Sequence, residues 1–262
     1  YAKCIDLTKE KEPQIWDAIK FGALVENTNF FEGTSTVDYE NVEKTENTRV
    51  AYPIDHIDNI VDAGYGKNPK NIFFLTCDAY GVLPPISKLT TGQAMYHFIS
   101  GYTAKVAGTE VGVTEPQETF SACFGAAFLP LHPTKYAELL GAKMKEHSVN
   151  VWLINTGWSG GAYGVGNRMK LGYTRAMITA AMNGKLDSVS FENHPVFGLA
   201  MPTSCPDVPT ELLNPKDTWA DKNKYDATAE KLAKSFVNNF EKYADNANEE
   251  ILAAAPTVTA TA

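Results

Sequence analysis

The sequence predicts an α/β fold, because apolar segments of strand length and longer amphipathic segments of helical period both occur in it. Residues 71–77 (NIFFLTC) and 150–156 (NVWLINT) are short apolar runs of the kind found in buried strands. Residues 133–147 begin with a proline, which suits the first turn of a helix, and carry apolar side chains on one face. Residues 228–243 have the same amphipathic pattern. These four segments together indicate helices packed on a sheet.

Shorter elements are predicted before the first apolar run. Residues 1–7 alternate in the manner of a short strand, and residues 13–25 are expected to form a short helix that starts at a proline. Residues 27–48 are polar and rich in Asn, Thr and Glu, so we expect hairpins or loops there. The adjacent prolines within residues 78–89 exclude a helix from that segment.

Three further segments complete the pattern. Residues 91–104 are predicted to be a helix that starts at a threonine cap. Residues 107–125 are rich in glycine and threonine, which indicates a long loop of the kind that often forms a lid or a binding loop. Residues 174–184 are predicted to be a helix that ends at Gly184, and the Ala- and Thr-rich tail is expected to fray.

The composition limits the classes of partner. The chain has 262 residues and a formal net charge of −8, which argues against non-specific binding to nucleic acid. A small anionic ligand is still compatible, because it needs only one or two cations. The first residues form no signal peptide, and no apolar run has the length of a membrane span, so we expect a cytoplasmic protein with no membrane partner. The start at Tyr1, without Met, suggests a chain that begins inside a longer protein.

The four cysteines do not form a recognisable framework. They are scattered along the chain, with no C-x-x-C pair and no neighbouring histidine cluster: Cys4, Cys77, Cys123 and Cys205. This spacing disfavours a zinc site, and the number is too small for a disulfide scaffold in a chain of this length. Reduced thiols are the simpler interpretation.

Residues 157–168 (GWSGGAYGVGNR) are the most suggestive local feature. A glycine-rich turn between a strand and a helix lets the backbone approach a ligand closely. The segment contains neither the phosphate-binding pattern G-x-x-x-x-G-K-[ST] nor the dinucleotide pattern G-x-G-x-x-G. A structural turn and a ligand-binding loop are therefore equally compatible with it.

Isolated polar residues give weaker signals. Arg49, Arg168 and Arg175 are, as single arginines, more often surface or ion-pair residues than site residues. Asp55 and His56 are adjacent, and on a strand they would point to opposite faces, so we favour a structural role for both.

Ser121 and Cys123 lie in TFSACFG, which resembles a nucleophile turn. The segment lacks the G-x-S-x-G elbow that presents a catalytic serine. The residues alone thus indicate an α/β domain with a glycine-rich loop.

Four longer stretches share one family resemblance: KTENTRVAYPIDHIDNI, LTCDAYGVLPPISKL, GYTAKVAGTEVGVTEPQETFSACFGAAFLPLHPTKYAELL and NTGWSGGAYGVGNRMKLGYTRAMI. They resemble the ATP-dependent phosphoenolpyruvate carboxykinases. The resemblance runs from Tyr1 to about Pro256, and the GTP-dependent branch is a poorer match. It implies a mixed sheet with packed helices, as part of the family's C-terminal mononucleotide-binding domain. It also implies that oxaloacetate and ATP are converted to phosphoenolpyruvate, ADP and CO2, a largely gluconeogenic step.

The resemblance also implies roles for individual residues. Arg49 matches the arginine that contacts both the transferring phosphoryl group and the organic substrate, and Glu12 matches a nucleotide-contacting glutamate. Arg168 and Met169 match the adenine-binding pair, and Thr174 matches a further nucleotide contact. Two matches are less specific: Lys3 lies close to the site in the family, and some members place a calcium-linked acidic residue near Glu230. Residues 108–122 resemble the family's mobile lid.

The resemblance covers only the C-terminal half of the family's length. All of residues 1–262 match the C-terminal part of the catalytic domain, so the P-loop and the ligands of Mg²⁺ or Mn²⁺ are expected in an N-terminal half that would be this chain's partner. No metal ligand is expected in this chain, and this half alone is expected to be inactive. Two alternatives remain: a non-catalytic nucleotide-binding fragment, and a structural or interaction protein descended from the enzyme.

Overall fold

The computed structural model describes residues 1–105 and 115–258, which form two compact units. The smaller unit contains residues 1–67 with Lys105 and Glu115, and the larger unit contains residues 68–104 and 116–258. The strand Tyr102–Lys105 is described with the larger unit, to which all its residues but the last belong. Each unit has its own hydrophobic core.

The smaller unit is built on a three-stranded antiparallel sheet in which β5 lies between β1 and β2, with β3 and β4 forming a separate hairpin. Its elements are β1 (Ala2–Lys3), α1 (Pro13–Ala18), β2 (Leu24–Glu26), β3 (Asn29–Phe30), β4 (Val37–Asp38) and β5 (Arg49–Ala51). Val50 packs in the core with Cys4 and Leu7. Because side chains alternate along a strand, Arg49 points to the opposite face, away from this core.

The larger unit contains a five-stranded sheet, two small two-stranded sheets and seven helices within the described residues. Its elements are β6 (Asn71–Thr76), β7 (Ile86–Leu89), α2 (Thr91–Ser100), β8 (Tyr102–Lys105), β9 (Gln117–Phe120), α3 (Pro133–His147), β10 (Asn150–Asn155), β11 (Trp158–Ser159), β12 (Asn167–Arg168), α4 (Leu171–Met182), β13 (Phe191–Asn193), β14 (Ala200–Pro202), α5 (Thr210–Leu213), α6 (Pro215–Thr218), α7 (Lys222–Ala244) and α8 (Glu249–Leu252).

The main sheet is mixed, which confirms the predicted fold class. The strand order is β13-β14-β7-β10-β6, with β6 and β10 parallel and the other neighbouring pairs antiparallel. Strand β10 is buried on both sides: Val151 and Leu153 join one core cluster, and Trp152 and Ile154 join the other. Helices therefore cover both faces of the sheet. The unit thus has three layers, with the sheet in the middle.

Helix boundaries follow local capping chemistry. Thr90 caps α2 with a reciprocal capping box, in which its hydroxyl accepts from the Gln93 backbone and the Gln93 side chain accepts from the Thr90 backbone. Gly101 ends the helix in the left-handed region at φ 54°, where an added Cβ would collide with the Ser121 carbonyl. Across the described ranges, no helix combines the length and the apolar character needed to span a bilayer.

Some predicted boundaries are wrong. The strand predicted over residues 1–7 is limited to Ala2–Lys3, and the helix predicted over 13–25 ends at Ala18 because the chain enters β2 at Leu24. The predicted loop 107–125 contains strand β9, which pairs with β8. The predicted buried strand 71–77 is instead an edge strand, and Leu75 is 57% exposed.

Two buried histidines make the stability of the larger unit sensitive to acid. Burial lowers the pKa of His97 to about 4, and burial also lowers the pKa of His194 to about 4. Between pH 6.5 and 4 the unfolded chain therefore binds more protons at these sites than the folded chain, so each histidine contributes a loss of stability as pH falls through this window.

We expect His97→Leu to reduce the loss of stability between pH 7.5 and pH 5. The expected reduction is about 2 kcal/mol, because pH 5 is about 1.5 units below the unfolded pKa and one unit corresponds to about 1.4 kcal/mol. Urea unfolding of wild type and variant at both pH values measures it. An identical pH dependence in the two proteins would contradict the prediction.

Candidate functional site

The candidate site lies at the carboxyl ends of the two parallel strands of the larger unit. Strands β6 and β10 end side by side, with Thr76 paired to Asn155. In open α/β sheets, ligands bind in the crevice outside the carboxyl ends of strands. The two segments that follow these strands, 77–83 and 156–161, are held together by buried polar side chains.

Asp78 organises the first of these segments. Its carboxylate is fully buried and accepts four hydrogen bonds, from the backbone of Tyr80 (2.9 Å), Val82 (2.7 Å) and Leu83 (2.8 Å) and from the Tyr102 hydroxyl (3.0 Å). Burial raises the pKa of Asp78, and these hydrogen bonds oppose the rise. The carboxylate thus fixes the path of a non-helical segment that leads into Pro84 and Pro85.

Asn155 joins this segment to the glycine-rich segment. Its side-chain oxygen accepts from the backbone of Asp78 (3.0 Å) and of Gly157 (2.8 Å), and its amide donates to the Leu83 carbonyl (2.9 Å). The side chain is 1% exposed. Neither Asp78 nor Asn155 was singled out from the sequence, where each is one polar residue after an apolar run.

A second buried network supports the same segment from the side. The His194 ring accepts backbone N–H groups of Val196 and Phe197 at Nδ1, both at 3.2 Å. Its Nε2 therefore carries the proton and donates to the Tyr225 hydroxyl (2.6 Å). That hydroxyl donates to the Val82 carbonyl (3.0 Å), so α7 is tied to the 77–83 segment.

The glycines of the 157–168 segment have a structural reason in several places. A Cβ at Gly157 would collide with the backbone of Asp78, and a Cβ at Gly166 would collide with the Gly161 and Ser159 carbonyls. The chain then returns as the β11–β12 hairpin, which pairs Trp158 with Arg168. Close backbone packing therefore accounts for these glycines.

A cavity of about 200 Å³ opens beside this hairpin in the larger unit. It is lined by the hairpin, the start of α4 and the α5–α6 region: Ser159, Gly160, Asn167, Arg168, Met169, Lys170, Tyr173, Leu212 and Thr218. The lining combines apolar side chains with a few polar groups, as is typical of small-molecule sites. The glycine-rich segment thus borders a cavity as well as packing closely on itself.

Arg168 and Met169 lie next to each other at this cavity. The Arg168 Nε donates to the Thr156 carbonyl (3.3 Å), and its guanidinium carbon is 5.4 Å from the centre of the Trp158 ring. The Met169 backbone donates to the Gly157 carbonyl (2.7 Å). Both residues are therefore held by the turn that follows β10.

Thr174 lies outside the cavity lining. It is buried in α4, with 6% exposure, and its backbone donates to the Lys170 carbonyl (3.2 Å). Its neighbour Tyr173 lines the cavity instead. Sequence reasoning also missed Leu212 and Thr218, which come from a distant part of the chain and give no local signal.

Arg49 lies in the smaller unit, at the centre of its sheet. Its cross-strand neighbours are Lys3 on β1 and Glu26 on β2. The Nε donates to the Asn47 side-chain oxygen (3.0 Å), and the guanidinium carbon is 5.5 Å from the centre of the Tyr1 ring. Among the described residues, no ion pair joins Arg49 to Glu46. The arginine is thus half-buried and held at Nε.

Glu12 is at the amino-terminal end of α1, also in the smaller unit. Its backbone bonds to the Thr8 carbonyl (3.1 Å), and its exposed side chain does not cap the helix. The predicted site residues therefore form two groups. Lys3 and Arg49 are cross-strand neighbours in the smaller unit, whereas Arg168, Met169 and Thr174 belong to the larger one.

The remaining candidates have structural partners. Asp55 and His56 lie on a 3-10 turn, not on a strand as assumed from the sequence, and His56 Nδ1 bonds to the Ala18 carbonyl (2.8 Å). Burial raises the pKa of Cys123 to about 11, which keeps it a thiol and not a nucleophile at neutral pH. Glu230 is 3.5 Å from the Lys234 ammonium.

Two further expectations concern metals and the lid. Within residues 1–105 and 115–258, no three His, Cys, Asp or Glu side chains are grouped to hold a metal ion. All four cysteines are free. Of the lid predicted over 108–122, residues 108–114 lie outside the described part of the chain, and Gln117–Phe120 is strand β9.

Comparison with known proteins decides the family. Residues 1–211 match the family model described as phosphoenolpyruvate carboxykinase. The chain belongs to this family. It is 67% identical to phosphoenolpyruvate carboxykinase (ATP) of Flavobacterium johnsoniae over 256 residues, which are 98% of this chain and 48% of that protein.

Other phosphoenolpyruvate carboxykinases (ATP) give the same result. The protein of Christiangramia forsetii is 62% identical, again over 98% of this chain and 48% of its own length. The Dictyostelium discoideum protein is 57% identical over 98% of this chain and 46% of its own length. The chain thus spans about half the length of the curated relatives it matches.

Proposed function

We propose that this chain supplies the nucleotide-base pocket and one catalytic arginine of an ATP-dependent phosphoenolpyruvate carboxykinase. In that reaction the carboxyl carbon of oxaloacetate leaves as CO2, and the resulting enolate oxygen attacks the γ-phosphorus of ATP. The bond from that phosphorus to the ADP oxygen breaks, which gives phosphoenolpyruvate and ADP. The observation that carries the proposal is that Arg168 and Met169, the family's adenine pair by resemblance, line one cavity.

The cavity suits a purine base. Met169, Tyr173 and Leu212 offer apolar surface for the flat faces of a base, and Ser159, Asn167 and Thr218 offer polar groups for its edge. Arg168 uses Nε to hold its own position, so the terminal nitrogens of the guanidinium are available for a ligand. Thr174, which is buried on α4 and does not line the cavity, is proposed as a nucleotide contact by resemblance alone.

Arg49 would act on the transferring phosphoryl group. Its guanidinium is permanently charged and offers forked donors that match phosphoryl and carboxylate oxygens. Charge that spreads over the phosphoryl oxygens in the transition state would be stabilised by such a fixed cation. Lys3, the cross-strand neighbour of Arg49 on β1, adds a second cation. Glu12 is proposed as a nucleotide contact by resemblance alone.

Metal chemistry is not assigned to the described residues of this chain. The described residues offer no cluster that fits Mg²⁺ or Mn²⁺, so we assign no step of the reaction to a metal ligand of this chain. By resemblance, the metal ligands and the P-loop belong to an N-terminal half.

The exposed Leu75 on the edge strand β6 is compatible with further protein packing there. A cytoplasmic location and a lid around residues 108–122 stay predictions.

An intact mass of the purified protein separates the enzyme from its main alternative. A mass near twice 28.7 kDa, or a companion chain that contains a P-loop, supports the carboxykinase. A single species of 28.7 kDa without a companion supports a non-catalytic nucleotide-binding fragment.

Arg168→Ala in the complete enzyme is expected to raise the Michaelis constant for ATP about 10- to 100-fold. Loss of one hydrogen bond to a charged group costs about 1.5 to 3 kcal/mol, and binding of the base should change turnover much less. Steady-state kinetics with varied ATP measures both constants. Arg175→Ala is the matched control, because Arg175 is exposed on α4 and does not line the cavity. Equal ATP constants in the two variants would contradict the pocket assignment.

A further inference from the structure

The strongest feature that the proposed function leaves unused is the buried side chain of Asn155. It stands at the last position of β10, and its oxygen accepts two backbone N–H groups from two different segments, at Asp78 and at Gly157. Its amide donates to the Leu83 carbonyl. This one side chain therefore ties three separate backbone positions to the end of the sheet.

The carbonyls of the two residues that follow Asn155 hold Arg168 and Met169 in the pocket wall. The Thr156 carbonyl accepts the hydrogen bond from Arg168 Nε, and the Gly157 carbonyl accepts the hydrogen bond from the Met169 backbone. Thr156 is itself fixed to the Thr76 carbonyl through both its backbone (2.8 Å) and its hydroxyl (3.0 Å). The Gly157 N–H that donates to Asn155 lies in the same planar peptide as the Thr156 carbonyl, so Asn155 orients the carbonyl that holds Arg168. The Gly157 carbonyl lies in the next peptide, whose Trp158 N–H donates to the Asp78 carbonyl (2.9 Å).

The peptide between Thr156 and Gly157 needs this support for a physical reason. A glycine has wide backbone freedom, so its orientation must be set by its partners. Without the Asn155 oxygen, the buried N–H groups of Asp78 and Gly157 would be left without that acceptor, and the turn could rotate to find another. Such a rotation would move the Thr156 carbonyl that holds Arg168, and shifts of about 1 Å are enough to weaken a binding site.

We propose that Asn155 is a positioning residue for the nucleotide-base pocket, which it aligns through the Gly157 turn without touching the nucleotide. The inference rests on the proposed function, because it takes Arg168 and Met169 as the base-binding pair. Asn155 controls the affinity for nucleotide, and it has no direct part in the binding of oxaloacetate.

The test uses two substitutions of similar size in the complete enzyme. Asn155→Leu removes every hydrogen bond of the side chain, whereas Asn155→Asp keeps an acceptor oxygen for Asp78 and Gly157 and loses the donor to Leu83. Asn71→Leu is the matched control. It removes a partly buried asparagine at the opposite end of the same strand pair, where its oxygen accepts the Trp152 ring N–H (3.1 Å).

Three quantities are measured for each variant: the dissociation constant of ADP, the Michaelis constant for oxaloacetate, and hydrogen exchange of the Met169 amide. For Asn155→Leu we expect ADP to bind at least about tenfold more weakly, an oxaloacetate constant within about twofold of wild type, and faster exchange at Met169. Asn155→Asp should lie between wild type and Asn155→Leu, and it decides the test if the leucine variant does not fold. Asn71→Leu should bind ADP as wild type does.

Two results would overturn the inference. One is an ADP affinity in Asn155→Leu, or in Asn155→Asp if only that variant folds, within about twofold of wild type while Arg168→Ala binds ADP weakly. The other is an equal loss of ADP affinity in Asn71→Leu, which would indicate general destabilisation. If Arg168→Ala binds ADP normally, the base pocket itself is wrongly assigned, and this failure is distinct from a failure at Asn155.

Discussion

Replacing Arg49 with glutamine in the complete enzyme is expected to lower turnover by about 10³-fold, with a much smaller change in nucleotide affinity. Arginines that stabilise the transferring phosphoryl group contribute about 10³ to 10⁵ in turnover in other phosphoryl-transfer enzymes. Glutamine keeps a polar side chain of moderate length but removes the charge. Turnover at saturating ATP and oxaloacetate is the quantity to measure.

The position of Arg49 makes this substitution informative. Asn47 holds the guanidinium at Nε, which leaves the forked terminal nitrogens to meet an anion. Arg49→Lys should recover only part of the lost turnover, because an ammonium cannot make the paired contact. Arg175→Gln, which removes an exposed arginine, serves as the control.

A structural role for Arg49 predicts a different result. If the side chain only supports the sheet through Asn47 and Tyr1, glutamine would cost at most about 1 kcal/mol of stability, as exposed polar pairs do. Turnover per folded molecule would then stay near the wild-type value. A near-normal turnover in Arg49→Gln would therefore remove Arg49 from the proposed mechanism.

Asp78→Ala is expected to destabilise the larger unit by about 4 kcal/mol or more. The substitution leaves three buried donors and one partly buried donor, the Tyr80 N–H, without an acceptor, and each orphaned donor costs about 1 kcal/mol or more. Denaturant unfolding of the complete enzyme, followed through hydrogen exchange of the Val82 and Leu83 amides, measures the effect.

Asp78→Asn separates hydrogen bonding from charge at this position. Asparagine keeps one acceptor oxygen of the two, so we expect about half the loss of stability found for alanine. Asp187→Ala, at an exposed position, should change stability by less than about 0.5 kcal/mol. If Asp78→Ala is as stable as the Asp187 control, the hydrogen bonds of Asp78 do not contribute as argued.

The elements with strong periodicity could be predicted from the sequence. Strand β10 and helix α3 lie where the apolar patterns indicated, because burial on two faces or on one helical face leaves a regular pattern. The first and last residues of the elements were harder to predict. Helix α7 starts at Lys222, six residues before the predicted start, because Asp221 caps it by accepting from the Asn223 and Lys224 backbones.

Elements that depend on a distant partner could not be predicted. Gln117–Phe120 has the composition of a loop, and it is a strand because β8 pairs with it. Prediction of the candidate site is limited in the same way by its dependence on distant residues. Resemblance indicated Arg168 and Met169, whereas Leu212 and Thr218 reach the cavity only through the tertiary fold. Asp78 and Asn155 could have been suspected, since each is a short polar side chain at a strand end.

The hydrogen bonds that run from His194 to Asp78 all point in one direction. The backbone N–H groups of Val196 and Phe197 donate to His194, His194 donates to Tyr225, and Tyr225 donates to the Val82 carbonyl. That carbonyl shares its planar peptide with the Leu83 N–H, which donates to the Asp78 carboxylate.

The bond dipoles along this path are therefore aligned, and each polarises the next toward the buried oxygen. Part of the solvation that Asp78 loses by leaving water is replaced by a chain of oriented dipoles that begins at the 194–197 turn and passes through α7.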